Sequence, residues 1–115
     1  LVVEDDILIR LDAMEMIRDA GFDAVEAADA DEAVAILEAR ADIVAVFTDI
    51  QMPGSMDGLK LARAVRNRWP PIKILAASGN VRLNSDDLPR GGQFLRKPYT
   101  SHQINQALHE LLDAA

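Results

Sequence analysis

The sequence predicts one α/β domain over residues 1–115, built on a doubly wound, five-stranded parallel sheet with helices on both faces. Three observations predict it. Short apolar runs alternate with stretches of helical periodicity along the whole chain, the pattern of successive βα units. The run Ile43 to Thr48 is almost continuously apolar, as a central strand covered on both faces requires. Residues able to carry chemistry follow four of the apolar runs: Glu4-Asp5-Asp6, Asp49, Ser78 and Lys97.

Leu1 to Val3 is the first strand. The chain opens inside it without a Met, which suggests a trimmed chain or an excised domain. Residues 6 to 20 read as a helix whose inner face is Ile7, Leu11, Met14 and Ile17, with Gly21 at the position that ends it. Phe22 to Ala27 is a second strand. Asp29 and Glu32 have capping-box spacing for a helix that buries Ala33, Ile36 and Leu37. The central strand Ile43 to Thr48 leads into a loop from Asp49 to Asp57, broken by Pro53 and Gly54. A third helix runs from Gly58 to Arg68 and stops at Trp69-Pro70-Pro71, and Ile72 to Ala77 is the fourth strand. Between Gly79 and Gly92 the residues Asn80, Asn84, Ser85, Asp86, Asp87, Pro89, Gly91 and Gly92 make a poor helix. A loop or a turn or two of helix is expected there, so a fourth helix is short or missing. Gln93 to Arg96 is the last strand. Thr100 and Gln103 form another capping box, ahead of a helix lined inside by Ile104, Ala107, Leu108 and Leu111.

Right-handed crossovers and helices on both faces favour the strand order 2-1-3-4-5. Ligands of such sheets bind beyond the carboxyl ends of the strands, at the point where the order reverses. Strands one and three flank that point, so Glu4, Asp5 and Asp49 should meet there.

Composition narrows the function classes. The net charge of −7 argues against a nucleic-acid or anionic-membrane surface, although Arg63, Arg66 and Arg68 form a local basic group. With no cysteine there is no disulfide, thiolate metal site or catalytic thiol, which fits a reducing cytoplasm. No apolar run approaches the roughly 20 residues of a membrane span, and no signal-peptide pattern opens the chain.

Crowded carboxylates repel one another unless a cation offsets them, and Mg²⁺ prefers such oxygen donors. At the end of the central strand, Asp49 is placed as a nucleophile, since Asp carboxylates form covalent phosphoryl intermediates. A transferred phosphoryl group spreads charge over three oxygens, and the metal, the Ser78 hydroxyl and the Lys97 ammonium can each take one. Taken singly, the residues have plainer readings. Asp6 reads as a helix N-cap, Asp49 and Ser78 as turn residues, and Lys97 as a surface charge. The functional reading comes from all of them falling at strand ends together.

The pieces LVVEDD, FTDIQMPGSMDG, AASG and FLRKPY, in that order and spacing, resemble a two-component response regulator receiver domain. The resemblance covers essentially the whole chain. It is similar to alphaproteobacterial receivers that stand alone or are attached to kinases. It implies a flavodoxin-like fold, a bacterial cytoplasmic setting and a phosphorelay function. By the resemblance Asp49 is the phosphoacceptor, taking phosphate from a sensor histidine kinase or phosphotransfer protein. Glu4, Asp5, Asp49 and the backbone carbonyl of Gln51 would hold Mg²⁺ or a similar cation such as Mn²⁺, with Asp5 the direct ligand of the acidic pair. Ser78 would be the switch hydroxyl, Lys97 the site lysine and Phe94 the switch aromatic, and Lys97-Pro98 a cis peptide. The downstream partner would be a protein target, with a second copy of the chain as a possible homodimer partner; no nucleic acid or membrane is implied. The domain would not be a turnover enzyme, beyond self-catalysed phosphotransfer and slow self-dephosphorylation.

Two departures from the family pattern stand out. The loop Met52 to Gly58 is one residue longer than usual, and Gly79 to Gly92 is too broken for an ordinary fourth helix, which puts the usual output face in question. Gln51 and Asn80, two residues past Asp49 and Ser78, are neutral amides, so a moderate or slow loss of phosphate is expected. His102 and His109 read as surface residues, Trp69 and Tyr99 as packing residues, and Met52 and Met56 as possible partner contacts. The rival readings are a small phosphatase with an Asp nucleophile, an interaction module without the chemistry, and a flavin or nucleotide domain. Gln51, where such phosphatases place a second Asp, speaks against the first. The complete residue set opposes the second, and the lack of a Gly-rich loop after strand one opposes the third.

Overall fold

The computed structural model describes residues 1–52, 57–79 and 85–113. Five parallel strands, β1 (Val2–Val3), β2 (Glu26–Ala27), β3 (Ala45–Asp49), β4 (Lys73–Ser78) and β5 (Gln93–Arg96), lie in the order β2-β1-β3-β4-β5. Among the described residues four α-helices accompany them: α1 (Ile7–Asp19), α2 (Ala30–Ala39), α3 (Gly58–Arg68) and α4 (Ser101–Asp113). The order is the one that alternating βα units predict, with the reversal between β1 and β3.

Strand alternation divides the core into two layers. Val2, Phe47, Leu75 and Ala77 pack beneath α1 and α4, with Ala13, Met14, Ile17, Ile104, Ala107, Leu108 and Leu111. Val3, Val46 and Ile74 face the other way, onto Ala33 and Leu37 of α2 and Leu61, Ala62 and Val65 of α3. Each fully buried Val, Leu or Ile contributes roughly 1.5–3 kcal/mol, so these layers fix where the strand ends lie.

The helix ends follow local sequence. Asp29 Oδ1 accepts from Glu32 N at 2.8 Å at the start of α2. At α4 both halves of the capping box form, with Thr100 N donating to Gln103 Oε1 at 2.8 Å and Gln103 N to Thr100 Oγ1 at 3.1 Å. Gly21, at φ +97°, follows the end of α1 in the left-handed conformation that glycine supplies without strain.

Three readings are corrected. The buried face of α1 is Arg10, Ala13, Met14 and Ile17, whereas Ile7 and Leu11 are exposed at 58% and 49%. Arg10 takes the buried place at that end of the helix, with its Nη1 on Glu4 O, and Ile7 and Leu11 are left facing outward. β2 forms its ladder only at Glu26–Ala27 rather than from Phe22, because β1 offers only Val2 and Val3 to pair with. β3 begins at Ala45 and includes Asp49, with Val44 left exposed beyond the sheet.

In the described part of residues 79–92 there is one 3₁₀ turn, Ser85–Asp87. Leu88 is buried after it, and Gly92 N donates to Pro89 O at 3.0 Å around Gly91, at φ +88°. The chain thus connects β4 to β5 with no described helix of ordinary length. Pro53 to Met56 and Asn80 to Asn84 lie outside the described residues, so the readings placed on the lengthened loop, Met56 and Asn80 do too.

Candidate functional site

β1 delivers Glu4 and Asp5 to the reversal point. Glu4 N continues the ladder to Ala27 O at 3.1 Å, and its carboxyl is buried with Oε2 lacking a hydrogen-bond partner. Asp5 is exposed. Asp6 has the plainer role: its Oδ1 caps α1, accepting from Leu8 N at 2.9 Å and Ile9 N at 3.2 Å.

β3 delivers Asp49 as its last residue, 8% exposed. Its backbone is held by the turn that follows. Gly58 N donates to Ile50 O at 2.8 Å, and a Cβ at position 58 would stand 2.2 Å from Asp49 O. Only glycine allows α3 to start this close to the strand. Asp57 supplies the cap, its Oδ1 accepting from Lys60 N at 2.9 Å.

β5 delivers Lys97. Its backbone N donates to Ser78 O at 3.0 Å, and its Nζ reaches to 3.0 Å from Asp49 Oδ1. That contact is a close charge pair rather than an aligned hydrogen bond, so the buried oxygen still lacks a well-directed donor. The Lys97-Pro98 peptide is cis, as expected. Ser78 ends β4, fully buried, in register with Arg96.

One oxygen from each of Glu4, Asp5 and Asp49 lies within 4.8 Å of the other two. Three carboxylates against the single Lys97 ammonium leave two negative charges in one hollow when all are ionised. Burial, then the Asp49 charge and a hydrogen bond with Asp49, push the Glu4 carboxyl up to about 7, while Lys97 pulls it the other way. Hard oxygen donors, two uncompensated charges and an orphaned buried oxygen together fit a divalent cation such as Mg²⁺. Exposed Asp5 keeps one side of the hollow open to solvent.

Of the residues singled out from sequence, Glu4, Asp5, Asp49 and Lys97 gather directly, and Ser78 sits at the adjoining strand end. Gln51 is exposed two residues beyond Asp49. Phe94 is half-buried elsewhere, against Ile50, Ala76, Leu88 and Leu59, with the Arg96 guanidinium 5.3 Å from its ring centre. That small cluster lies beside the site, because Ile50 follows Asp49 and Ala76 precedes Ser78 by two. Tyr99 packs edge-on to Phe47, ring centres 5.5 Å apart, and also lines the hollow with Glu4, Asp49 and Lys97. Burial first, then Glu4, Asp12 and Asp49, raise its phenol to about 12. A larger cavity of about 350 Å³, lined by Phe22, Ile43, Val44 and Leu112 among others, includes none of the site residues.

Sequence reasoning missed three features. Arg10, read as part of a helix, is buried and donates from Nη1 to Glu4 O at 2.8 Å. Gly58 is a contact residue of the site rather than only a helix start; its place directly after a capping Asp was the available signal. Ile7, Leu8, Ile9 and Leu11 leave an apolar patch on α1 beside the acidic loop, with Leu8 75% exposed. The run ILIRL is apolar at four of five positions, which one buried helix face cannot absorb.

The model of the response regulator receiver domain family matches residues 1–109. The sensor kinase CckA of Brucella abortus is 32% identical over 98% of this chain. The chain spans 12% of the length of that kinase, 22% of an NtrX-like putative response regulator of Rickettsia bellii and 24% of NtrX of Azorhizobium caulinodans. Among solved structures, a response regulator receiver protein of Sinorhizobium medicae superimposes with a TM-score of 0.89 at 28% identity, covering 98% of this chain and 92% of its own. The receiver domain of NtrX from Brucella abortus also gives 0.89, at 29% identity and coverages of 99% and 98%.

Proposed function

The chain belongs to the response regulator receiver domain family, and from that premise we propose that Asp49 takes a phosphoryl group from a phosphohistidine of a sensor histidine kinase or phosphotransfer protein. The observation that carries this reading is the gathering of the Glu4, Asp5 and Asp49 oxygens within 4.8 Å, with Lys97 Nζ 3.0 Å from Asp49. An Asp49 carboxylate oxygen attacks phosphorus in line with the donor nitrogen. The new O–P bond forms as the N–P bond breaks, and the imidazole leaves with the electron pair.

Glu4, Asp5, Asp49 and the Gln51 carbonyl are the residues that would hold Mg²⁺ or Mn²⁺, which supplies positive charge opposite the phosphoryl oxygens when bound. Lys97 holds Asp49 in place before transfer and pairs with a phosphoryl oxygen after it. Ser78 donates its hydroxyl to another. Phosphorylation adds about −1.5 to −2 charges at the strand ends, and Ser78 and the Phe94 cluster shift to meet them. The readout is a population shift that changes a surface for a protein partner.

The whole of residues 1–115 acts as one such domain, in the cytoplasm where a kinase phosphohistidine and Mg²⁺ are available. It is a switch rather than a turnover enzyme, because Gln51 offers no general base beside Asp49. The exposed apolar residues Ile7, Leu8 and Leu11, next to Asp5 and Asp6, are suited to meet the donor protein. No helix among the described residues is long and apolar enough to cross a membrane.

The reading is tested by mixing the protein with Mg²⁺ and a histidine-phosphorylated donor, and separately with a phosphomonoester. Stoichiometric transfer from the donor with no sustained phosphate release from the ester is expected. Repeated turnover of the ester would replace this reading with the phosphatase.

A further inference from the structure

Arg10 is 8% exposed, on a helix face otherwise lined by Ala13, Met14 and Ile17. An apolar side chain would fill that stripe without the cost of burying a guanidinium, so packing alone does not account for an arginine there. Its contacts give another reason. Nη1 donates to Glu4 O at 2.8 Å, while the backbone N of Arg10 donates to Asp6 O at 2.9 Å. The second is the first-turn bond that any residue at this position would make, so what the arginine adds is the hold on Glu4 O, the carbonyl just before Asp5.

The remaining geometry points the same way. Arg10 Nε has no hydrogen-bond partner and stands 3.8 Å from Glu26 Oε1, an ion pair with the neighbouring strand β2 rather than a hydrogen bond. The guanidinium's hydrogen bond goes to a backbone oxygen rather than to a carboxylate. No hydrogen bond or ion pair to another described residue holds the Asp5 side chain. Its placement depends on its backbone, which the Arg10 guanidinium holds at the carbonyl preceding Asp5.

We propose that Arg10 is a positioning residue, which fixes the loop between β1 and α1 so that Asp5 is aimed at a divalent cation shared with Glu4 and Asp49. The inference rests on the reading of those acids as the cation site. Groups that orient a metal ligand commonly change affinity by about 10- to 100-fold when removed. Here the orienting bond falls on the main chain flanking the ligand.

The test compares Mg²⁺ dissociation constants by titration calorimetry with melting temperatures in EDTA, for wild type, Arg10→Met, Arg10→Lys and Glu26→Gln. Arg10→Met is expected to weaken Mg²⁺ binding by about 10-fold. Arg10→Lys, which keeps a donor for Glu4 O, recovers most of that loss. Glu26→Gln, which removes only the outer charge, weakens binding about two-fold with little change in melting temperature, and decides the matter should Arg10→Met not fold. A purely structural arginine would lower the melting temperature and leave the dissociation constant of every folded variant unchanged, and that result overturns the inference. Failure of the wild-type protein itself to bind Mg²⁺ would instead overturn the cation site, and this inference with it.

Discussion

Lys97 Nζ stands 3.0 Å from Asp49 Oδ1, reaching past β4 to join the ends of two strands that are not neighbours in the sheet. The ammonium offsets part of the charge that β1 and β3 bring together. With 27% of the Lys97 side chain exposed against 8% for Asp49, the pair is sheltered on the carboxylate side and reachable from solvent on the other. Lys97→Met is expected to slow phosphorylation by acetyl phosphate by about 100-fold, the usual scale for removing one charged donor from a transfer site. It also costs about 1–2 kcal/mol of stability near pH 8. Rate measurements by intact mass and urea unfolding check both effects.

The Glu4 carboxyl, raised to about 7, gives a pH signature. A raised acid binds its proton more tightly in the folded chain, so the unfolded chain loses that proton first as pH rises. Stability in EDTA therefore falls between about pH 4.5 and 7, and the penalty is complete above that. His109 acts in the same direction. Its imidazole is raised by the bond to Asp113, so its contribution is present below the ordinary histidine value and lost as pH climbs through the raised one. Mg²⁺ separates the two, because the cation offsets the Glu4 penalty and does not touch His109. Wild type minus Glu4→Gln in EDTA should show the downward slope, and saturating Mg²⁺ should remove it from that difference while the His109 slope remains in both proteins. Mg²⁺ affinity should itself strengthen as pH rises through 7, because binding displaces the Glu4 proton.

Gly58 sets a steric limit on the site. A methyl group there meets Asp49 O at 2.2 Å and Ile50 Cα at 2.6 Å, both main chain and unable to swing aside. Gly58→Ala should cost about 3 kcal/mol or more by overpacking. It should also slow phosphorylation at equal folded fraction, because the strand end carrying Asp49 is what moves. Chemical denaturation together with acetyl phosphate kinetics separates the two effects.

The apolar patch of α1 separates chemistry from docking. Leu8 is 75% exposed, so Leu8→Glu should leave stability within about 0.5 kcal/mol of wild type. Acetyl phosphate, too small to need the patch, should phosphorylate the variant normally. Transfer from a histidine-phosphorylated protein donor should slow by about ten-fold or more, which a stopped-flow comparison of the two donors would detect.

Strand order, the gathering of Glu4, Asp5, Asp49 and Lys97, and the bounds of α3 and β5 were legible in the sequence. Each rests on strong local signals: the breakers Pro53 and Gly54 ahead of α3 and a closing Trp69-Pro70 after it, apolar runs ending in polar residues for the strands. The inner face of α1 was not legible. ILIRL satisfies helical periodicity in more than one rotation, and the one adopted buries Arg10, whose bond to a carbonyl outside the helix no apolar pattern reports. The short β2 could not be read from residues 22–27 either, because its length is set by how little of β1 faces it. Arg10 and Gly58 act on backbone atoms of the loop and strand that carry the acids. Side-chain patterns report little of such contacts.

The most direct measurement of the central claim is the intact mass of the protein after acetyl phosphate and Mg²⁺. A gain of one phosphoryl unit, lost on hydroxylamine treatment, absent in EDTA and absent in Asp49→Asn, is the predicted result. An equal gain in Asp49→Asn, or none in wild type at saturating Mg²⁺, would contradict the assignment of Asp49 as the acceptor.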